Sequence, residues 1–95
     1  MHPAKLSEPE IANRLAALPL WSIEDGKLWR EFQFLNFSAA FAFMTRTALL
    51  AEQLDHHPEW CNVYNRVDVA LTTHSAHGIT VLDFQMAEAM QTFAQ

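Results

Sequence analysis

Cysteine, glycine and basic residues are all scarce in this chain, and each shortage excludes a class of protein. The single cysteine, Cys61, excludes a disulfide framework and a thiolate zinc site. Two glycines are too few for a loop-rich fold. Six Lys and Arg residues against eleven Asp and Glu give a net charge of −5, and the basic residues do not cluster. Phosphate contacts need clustered cations, so we expect no direct binding of nucleic acid.

Long hydrophobic runs are also missing. No segment approaches the roughly 18 consecutive apolar residues of a membrane span. The first residues lack the apolar run of a signal peptide. We therefore expect no membrane partner and a cytoplasmic location.

Apolar side chains are abundant and make up 51% of a chain of only 95 residues. This content excludes disorder, and the length fits one domain over residues 1–95 with a short flexible lead over residues 1–6. So apolar a composition in so small a domain favours a surface for self-association.

Capping residues mark the starts of the first and last of three predicted helices. Ser7, followed three residues later by Glu10, forms the pattern of a capping box, and Pro19 ends that helix. Thr80 with Asp83 repeats the same spacing before the final apolar stripe. Helices are therefore expected near both ends of the chain.

The central predicted helix follows the cap residue Asn36 and runs from Phe37 to about Asp55. It is apolar most of the way round, which is typical of a helix buried on more than one side. One side should cover the sheet. The other predicts that copies of the chain pack together through this helix, unless the first and last helices flank it and cover both faces. Its two apolar stripes consist of Phe41, Met44, Ala48 and Ala51, and of Ala40, Phe43, Thr47, Leu50 and Leu54.

Four segments alternate apolar and polar residues at the strand period. Leu20–Glu24 and Lys27–Phe34 flank Asp25-Gly26, a strong hairpin turn. Trp60–Tyr64 and Arg66–Thr73 form a second pair. The order α-β-β-α-β-β-α predicts an α+β two-layer sandwich, in which a four-stranded antiparallel sheet carries three helices on one face.

Acidic, basic and aromatic side chains concentrate between Glu52 and Trp60. His56 and His57 are adjacent, and Pro58 should end the helix there. An imidazole titrates nearest neutrality, which suits it to either half of an acid–base pair. Glu52 precedes His56 by four residues on the predicted helix, so its carboxylate can orient an imidazole, although a pair at the surface is the more frequent role at this spacing. The other polar and aromatic candidates in this segment are Asp55 and Trp60.

Spacing alone leaves other interpretations of these histidines open. Adjacent histidines at a helix C-terminus are also favoured by the helix dipole while simply solvated. Together with His74 and a carboxylate they could bind zinc, although adjacent side chains point in different directions and the cluster lacks the usual ligand spacings.

Seven residues at fixed gaps resemble the signature of a known enzyme family. They are Glu52, His56, His57, Pro58, Tyr64, His74 and Asp83. The segments Phe41–Arg46, Glu59–Asn65 and Leu71–His74 match as well. On these residues the chain resembles the pterin-4a-carbinolamine dehydratases from about Trp21 to Ala87.

The resemblance implies an α+β sandwich that forms dimers or tetramers and needs neither metal nor bound cofactor. It also implies dehydration of 4a-hydroxytetrahydropterin to quinonoid dihydropterin and water, which recycles the pterin of aromatic amino-acid hydroxylases. A non-catalytic, dimerising binding module of the same fold is the alternative.

The resemblance also assigns roles to individual residues. His57 is expected to bind substrate and act as the base, with His56 and His74 as acids near the hydroxyl. The residues implied to bind or enclose the pterin are Glu52, Asp55, Pro58 and Trp60. The loop Ser75–Gly78 departs from the usual family pattern, which leaves the role of His77 open.

Overall fold

A computed structural model describes residues 3–95 and confirms the predicted order of helices and strands. The elements are α1 (Glu8–Leu15), β1 (Ser22–Glu24), β2 (Lys27–Gln33), α2 (Phe37–Leu54), β3 (Glu59–Val63), β4 (Arg66–Leu71) and α3 (Val81–Phe93). A short 3-10 turn, His74–Ala76, lies between β4 and α3. Across residues 3–95, no helix has both the length and the apolar character to cross a membrane.

The four strands form one antiparallel sheet in the order β1-β2-β4-β3. Asp25 and Gly26 connect β1 to β2 with φ values of 52° and 73°, the left-handed conformations that a tight hairpin turn requires. Tyr64, with φ of 49°, turns the chain between β3 and β4. In this order β2 and β4 are the two inner strands of the sheet. The chain continues from the end of β4 towards His74.

One face of the sheet forms the floor of the core. Val67, Val69 and Leu71 alternate inward along β4 and are fully buried, as their spacing predicts. Phe32 on β2 meets Phe43 of α2 with ring centroids 4.6 Å apart. Helix α3 completes this layer with buried apolar side chains, which are Phe84, Met86, Ala87 and Met90.

Both predicted capping boxes are present. The Ser7 hydroxyl accepts a hydrogen bond from the Glu10 amide, and the Glu10 carboxylate accepts one from the Ser7 amide. The same reciprocal pair joins Thr80 and Asp83 at the start of α3. These bonds satisfy amides that a helix leaves free at its first turn.

Helix α2 is buried along one stripe and exposed along another. The predicted cap is present, since the Asn36 side chain accepts a hydrogen bond from the Ala39 amide at 2.9 Å. Its buried residues are Ala40, Phe43, Thr47 and Ala51. Large apolar side chains remain exposed on the other side at Phe37, Phe41 and Leu49. Within residues 3–95, no element covers that side.

The predicted flexible lead needs correction at Leu6. The Leu6 side chain belongs to the buried core, and its amide donates a hydrogen bond to the Ile79 carbonyl at 2.9 Å. Residues 1 and 2 lie outside the described part of the chain. Burial of an apolar side chain together with a backbone bond ties the chain down before α1 begins.

Candidate active site

The end of α2 sends two adjacent histidines in different directions. Asp55 adopts φ of 50°, a left-handed conformation that aspartate tolerates. The His56 amide donates to the Ala51 carbonyl and the Asp55 amide to the Glu52 carbonyl, which together form a Schellman motif. The helix therefore ends at Leu54, two residues before His56, and His56 turns inward while His57 stays at the surface.

His56 belongs to a buried polar network with Asp83 at its centre. The His56 side chain is 8% exposed and the Asp83 side chain 0%. His56 Nε2 lies 2.6 Å from Asp83 Oδ1. The other carboxylate oxygen, Oδ2, accepts from the Thr73 hydroxyl at 2.8 Å and the Thr80 amide at 2.9 Å. The buried carboxylate is thus fully hydrogen-bonded, as burial of such a group requires.

The capping role of Asp83 was predicted from the sequence, but its contact with His56 was not. The two residues are 27 positions apart, and no periodicity relates them. The only signal in the sequence is that both belong to the residues that carry the family resemblance.

Glu52 contacts the imidazole of His57 and not that of His56, the histidine with which the helical spacing paired it. Glu52 Oε1 lies 2.6 Å from His57 Nε2, and the His57 side chain is 55% exposed. That pairing assumed that the helix continues to His56. Because Asp55 is left-handed, the usual spacing of four residues no longer places two side chains on one face.

His74 begins the 3-10 turn that follows β4 and has a third carboxylate, Glu59, beside it. His74 Nε2 is 3.4 Å from Glu59 Oε2, and Glu59 Oε1 accepts a hydrogen bond from Lys27 Nζ at 2.7 Å. This bond from Lys27 is the main cause that holds the pKa of Glu59 below its usual value. The same bond raises the pKa of Lys27.

The three predicted histidines line one cleft of about 370 Å³. Its other lining residues are Asp55, Pro58, Glu59, Thr72, Thr73, Ser75 and Leu82. Each imidazole has its own carboxylate, supplied by a different element of the fold. The arrangement suits proton transfer, since it presents several orientated imidazoles to one small volume.

Trp60, which the resemblance assigns to the pocket although its residue type alone favours the core, is not among the residues that line this cleft. It pairs with Val69 in the β3–β4 register and packs against the core. Successive side chains on a strand point to opposite faces, so Glu59 reaches the cleft while Trp60 faces the helices. His77 lines a separate cleft beside Lys5 and Ile79.

The zinc interpretation finds no support in the arrangement of these side chains. Among the residues that the structure describes, no group of three or more His, Cys, Asp or Glu side chains is placed to hold a metal ion.

Comparison with known proteins identifies the family. The sequence model described as "Pterin 4 alpha carbinolamine dehydratase" matches residues 4–93. This match covers nearly the whole chain, so the chain belongs to the pterin-4a-carbinolamine dehydratase family.

Individual relatives agree with this assignment. A protein of Rhizorhabdus wittichii, provisionally named pterin-4-alpha-carbinolamine dehydratase, is 55% identical over 92 residues, which is 95% of each chain. One of Sinorhizobium fredii with the same provisional name is 52% identical over 96 residues and covers 99% of this chain and 91% of its own. A crystal structure from Brucella melitensis, described as a transcriptional coactivator/pterin dehydratase, is 52% identical with a TM-score of 0.92. That comparison covers 96% of this chain and 99% of the other, and it confirms the predicted fold.

Proposed function

We propose that the chain is a dehydratase that converts 4a-hydroxytetrahydropterin to quinonoid dihydropterin and water. The observation that carries the proposal is the cleft in which His56, His57 and His74 each have a neighbouring carboxylate. In the reaction the C4a–O bond breaks, the N5 proton leaves, and a C4a–N5 double bond forms. The hydroxyl and one proton leave as water, so the chemistry needs an acid and a base and no electron acceptor.

His57 is proposed as the base that accepts the N5 proton. A carboxylate accepts hydrogen bonds, so Glu52 fixes the proton of His57 on Nε2. In the neutral imidazole Nδ1 then carries the free lone pair. His57 is also exposed enough to meet a substrate, with just over half of its side chain accessible.

His74 and His56 are proposed as the acids that assist departure of the hydroxyl. His74 lines the cleft from the 3-10 turn after β4 and is the most accessible of the three histidines. His56 lies deepest, and Asp83 holds its ring in one orientation through Nε2. The two residues approach the cleft from different elements, so a hydroxyl group can be met from two sides.

The planar ring is proposed to lie between Asp55, Pro58 and Leu82. Pro58 and Leu82 supply apolar surface within the cleft, and the Asp55 carboxylate can accept hydrogen bonds from ring N–H groups. Glu52 is proposed to act through His57. In the cell this activity would regenerate the pterin used by aromatic amino-acid hydroxylases, in the cytoplasm and without a bound cofactor.

A stopped-flow assay of 4a-hydroxytetrahydropterin dehydration tests the proposal. Wild-type protein should accelerate the loss of the hydroxylated pterin over buffer, and His57→Ala should remove most of that acceleration. Activity should persist after treatment with a chelator. A wild-type rate equal to the rate in buffer would refute the proposed dehydratase activity.

A second proposal concerns self-association through α2. Phe37, Phe41 and Leu49 form an exposed apolar face on a helix whose other side is buried. Such a face is typical of an interface between subunits. A non-catalytic module that docks another protein through this face is the alternative, and the coactivator description of the Brucella relative keeps that alternative relevant. Light scattering at micromolar concentration tests self-association, since the mass of a monomer would contradict subunit packing through α2.

A further inference from the structure

The three histidines of the cleft differ in how firmly they are held. His56 and His57 each contact a carboxylate at 2.6 Å, whereas the His74 contact is 3.4 Å. His74 also begins a 3-10 turn of three residues, and its side chain is 79% exposed. An exposed side chain samples several rotamers, and a catalytic group must hold one geometry. His74 therefore depends more than His56 or His57 on a neighbouring group that orients its ring.

Glu59 is the group placed to orient His74, and Glu59 is itself held by a cation. Its two carboxylate oxygens are divided, with Oε1 on Lys27 and Oε2 facing His74. Lys27 begins β2 and Glu59 begins β3, with the central strand β4 between them. The ion pair thus crosses β4 near Leu71, shortly before the chain reaches His74.

The charge on Glu59 is secured by the same contact. The hydrogen bond from Lys27 lowers the pKa of Glu59, and the charge of His74 adds to this effect. Glu59 therefore stays anionic throughout the pH range in which imidazoles change charge. Asp25, in the adjacent hairpin turn, acts on Lys27 in the sense that keeps the ammonium protonated.

We propose that Glu59, anchored by Lys27, is a positioning residue that holds His74 in its working orientation, an inference that rests on the proposed dehydratase function. Glu59 acts on the reaction through His74, and Lys27 acts through Glu59. The chain of contacts links the β1–β2 hairpin to the cleft.

The half-exposed position of the ion pair makes the proposal testable without unfolding the protein. Pairs of this kind contribute little to stability, because water screens their attraction. Glu59→Gln keeps the shape of the side chain and removes its charge. It should lower kcat about five- to tenfold, well short of the hundredfold or more expected for a group that transfers the proton itself. KM should stay within about twofold, since the change affects a group needed in the transition state.

The experiment compares single and double variants with a matched control. Lys27→Met should also lower kcat, but by less than Glu59→Gln does. Lys27→Arg, which keeps the positive charge, should have a kcat close to that of the wild type. The double variant Lys27→Met/Glu59→Gln should equal Glu59→Gln alone, because both changes break one chain of contacts. Glu31→Gln removes an exposed charge from the same sheet and should leave kcat unchanged. Wild-type kcat in Glu59→Gln, or effects of the two single changes that multiply, would overturn the proposal.

An NMR measurement separates failure of this proposal from failure of the dehydratase function. The imidazole signals of His74 should shift in Glu59→Gln and stay in place in Glu31→Gln, whether or not the protein is active. The Glu59 carboxyl should titrate below its usual pKa in the wild type and move upwards in Lys27→Met. Unchanged His74 signals in Glu59→Gln would overturn the positioning role even in an active enzyme. If the wild type is inactive but the His74 signals still shift in Glu59→Gln, the proposed dehydratase function fails while the contact between Glu59 and His74 stands.

Discussion

The buried carboxylate of Asp83 accepts hydrogen bonds from the His56 imidazole at 2.6 Å and, at the same time, from the amide of Thr80, the cap residue of α3. One side chain therefore caps a helix and fixes a candidate catalytic residue. The same carboxylate also accepts a hydrogen bond from the hydroxyl of Thr73, two residues beyond the end of β4. Three elements of the fold meet at this point, so the site and the stability of the protein are coupled there.

Replacing Asp83 should damage both stability and activity. Asp83→Asn leaves too few acceptors for the three donors, and a buried donor without a partner costs about 1–3 kcal/mol. Urea unfolding should show that loss, and kcat should fall because His56 loses its fixed orientation. Glu10→Gln is the matched control, since Glu10 has the same capping-box position at the exposed start of α1. Equal losses of stability in the two variants would contradict the role of the buried network.

Replacing Glu52 should affect catalysis with little change in stability. The pair with His57 is exposed, so Glu52→Ala should change the free energy of unfolding by less than about 1 kcal/mol. It should lower kcat about tenfold, because the His57 ring is no longer held in one tautomer and orientation. Glu52→Gln, whose amide oxygen still accepts from Nε2, should recover part of the rate. Stopped-flow rates and urea midpoints measured on the same samples check the prediction, and full activity in Glu52→Ala would refute it.

Asp55 should show opposite effects on stability and on substrate binding. Its φ of 50° suits glycine better than aspartate, so Asp55→Gly should stabilise the fold by about 0.5–1 kcal/mol. The same change removes a carboxylate from the cleft and should raise KM for the pterin. Asp55→Asn, which tolerates this backbone but lacks the charge, should raise KM without the gain in stability. Thermal unfolding and steady-state kinetics separate the two effects. An unchanged KM in both variants would exclude Asp55 from ring binding.

A charge on the exposed face of α2 should separate the subunits of the proposed oligomer. Phe41 contacts Phe37 on this face, with ring centroids 5.7 Å apart, and both rings are exposed. Phe41→Glu should convert the assembly to a monomer, because burying an unpaired carboxylate is unfavourable. Gln53→Glu, an exposed change near the other end of the same helix, is the control. Sedimentation of both variants measures the mass of the assembly. An oligomer that persists in Phe41→Glu would place the interface elsewhere.

Local signals in the sequence predicted most of the fold. The hairpin at Asp25-Gly26, the cap at Asn36 and the capping boxes each depend on residues within a few positions of one another. The alternation along β4 likewise follows from a strict period of two. These features need no knowledge of distant parts of the chain.

The site was predicted less completely, because it depends on contacts between distant segments and on one backbone conformation. The bond from His56 to Asp83 joins positions that no period relates. Glu52 contacts His57 instead of His56 because Asp55 leaves the helical conformation one residue before His56. Trp60 was assigned to the cleft by resemblance, whereas the strand register turns it towards the core.

The left-handed residue at the end of α2 has an evolutionary consequence. Two neighbouring imidazoles, encoded side by side, occupy a dry interior and a wet surface because of a single backbone angle at Asp55. Mutations in the interior around Asp83 can alter one histidine, and mutations on the surface around Glu52 can alter the other. The two halves of a proposed acid–base pair can therefore diverge independently, although no residue separates them in the chain.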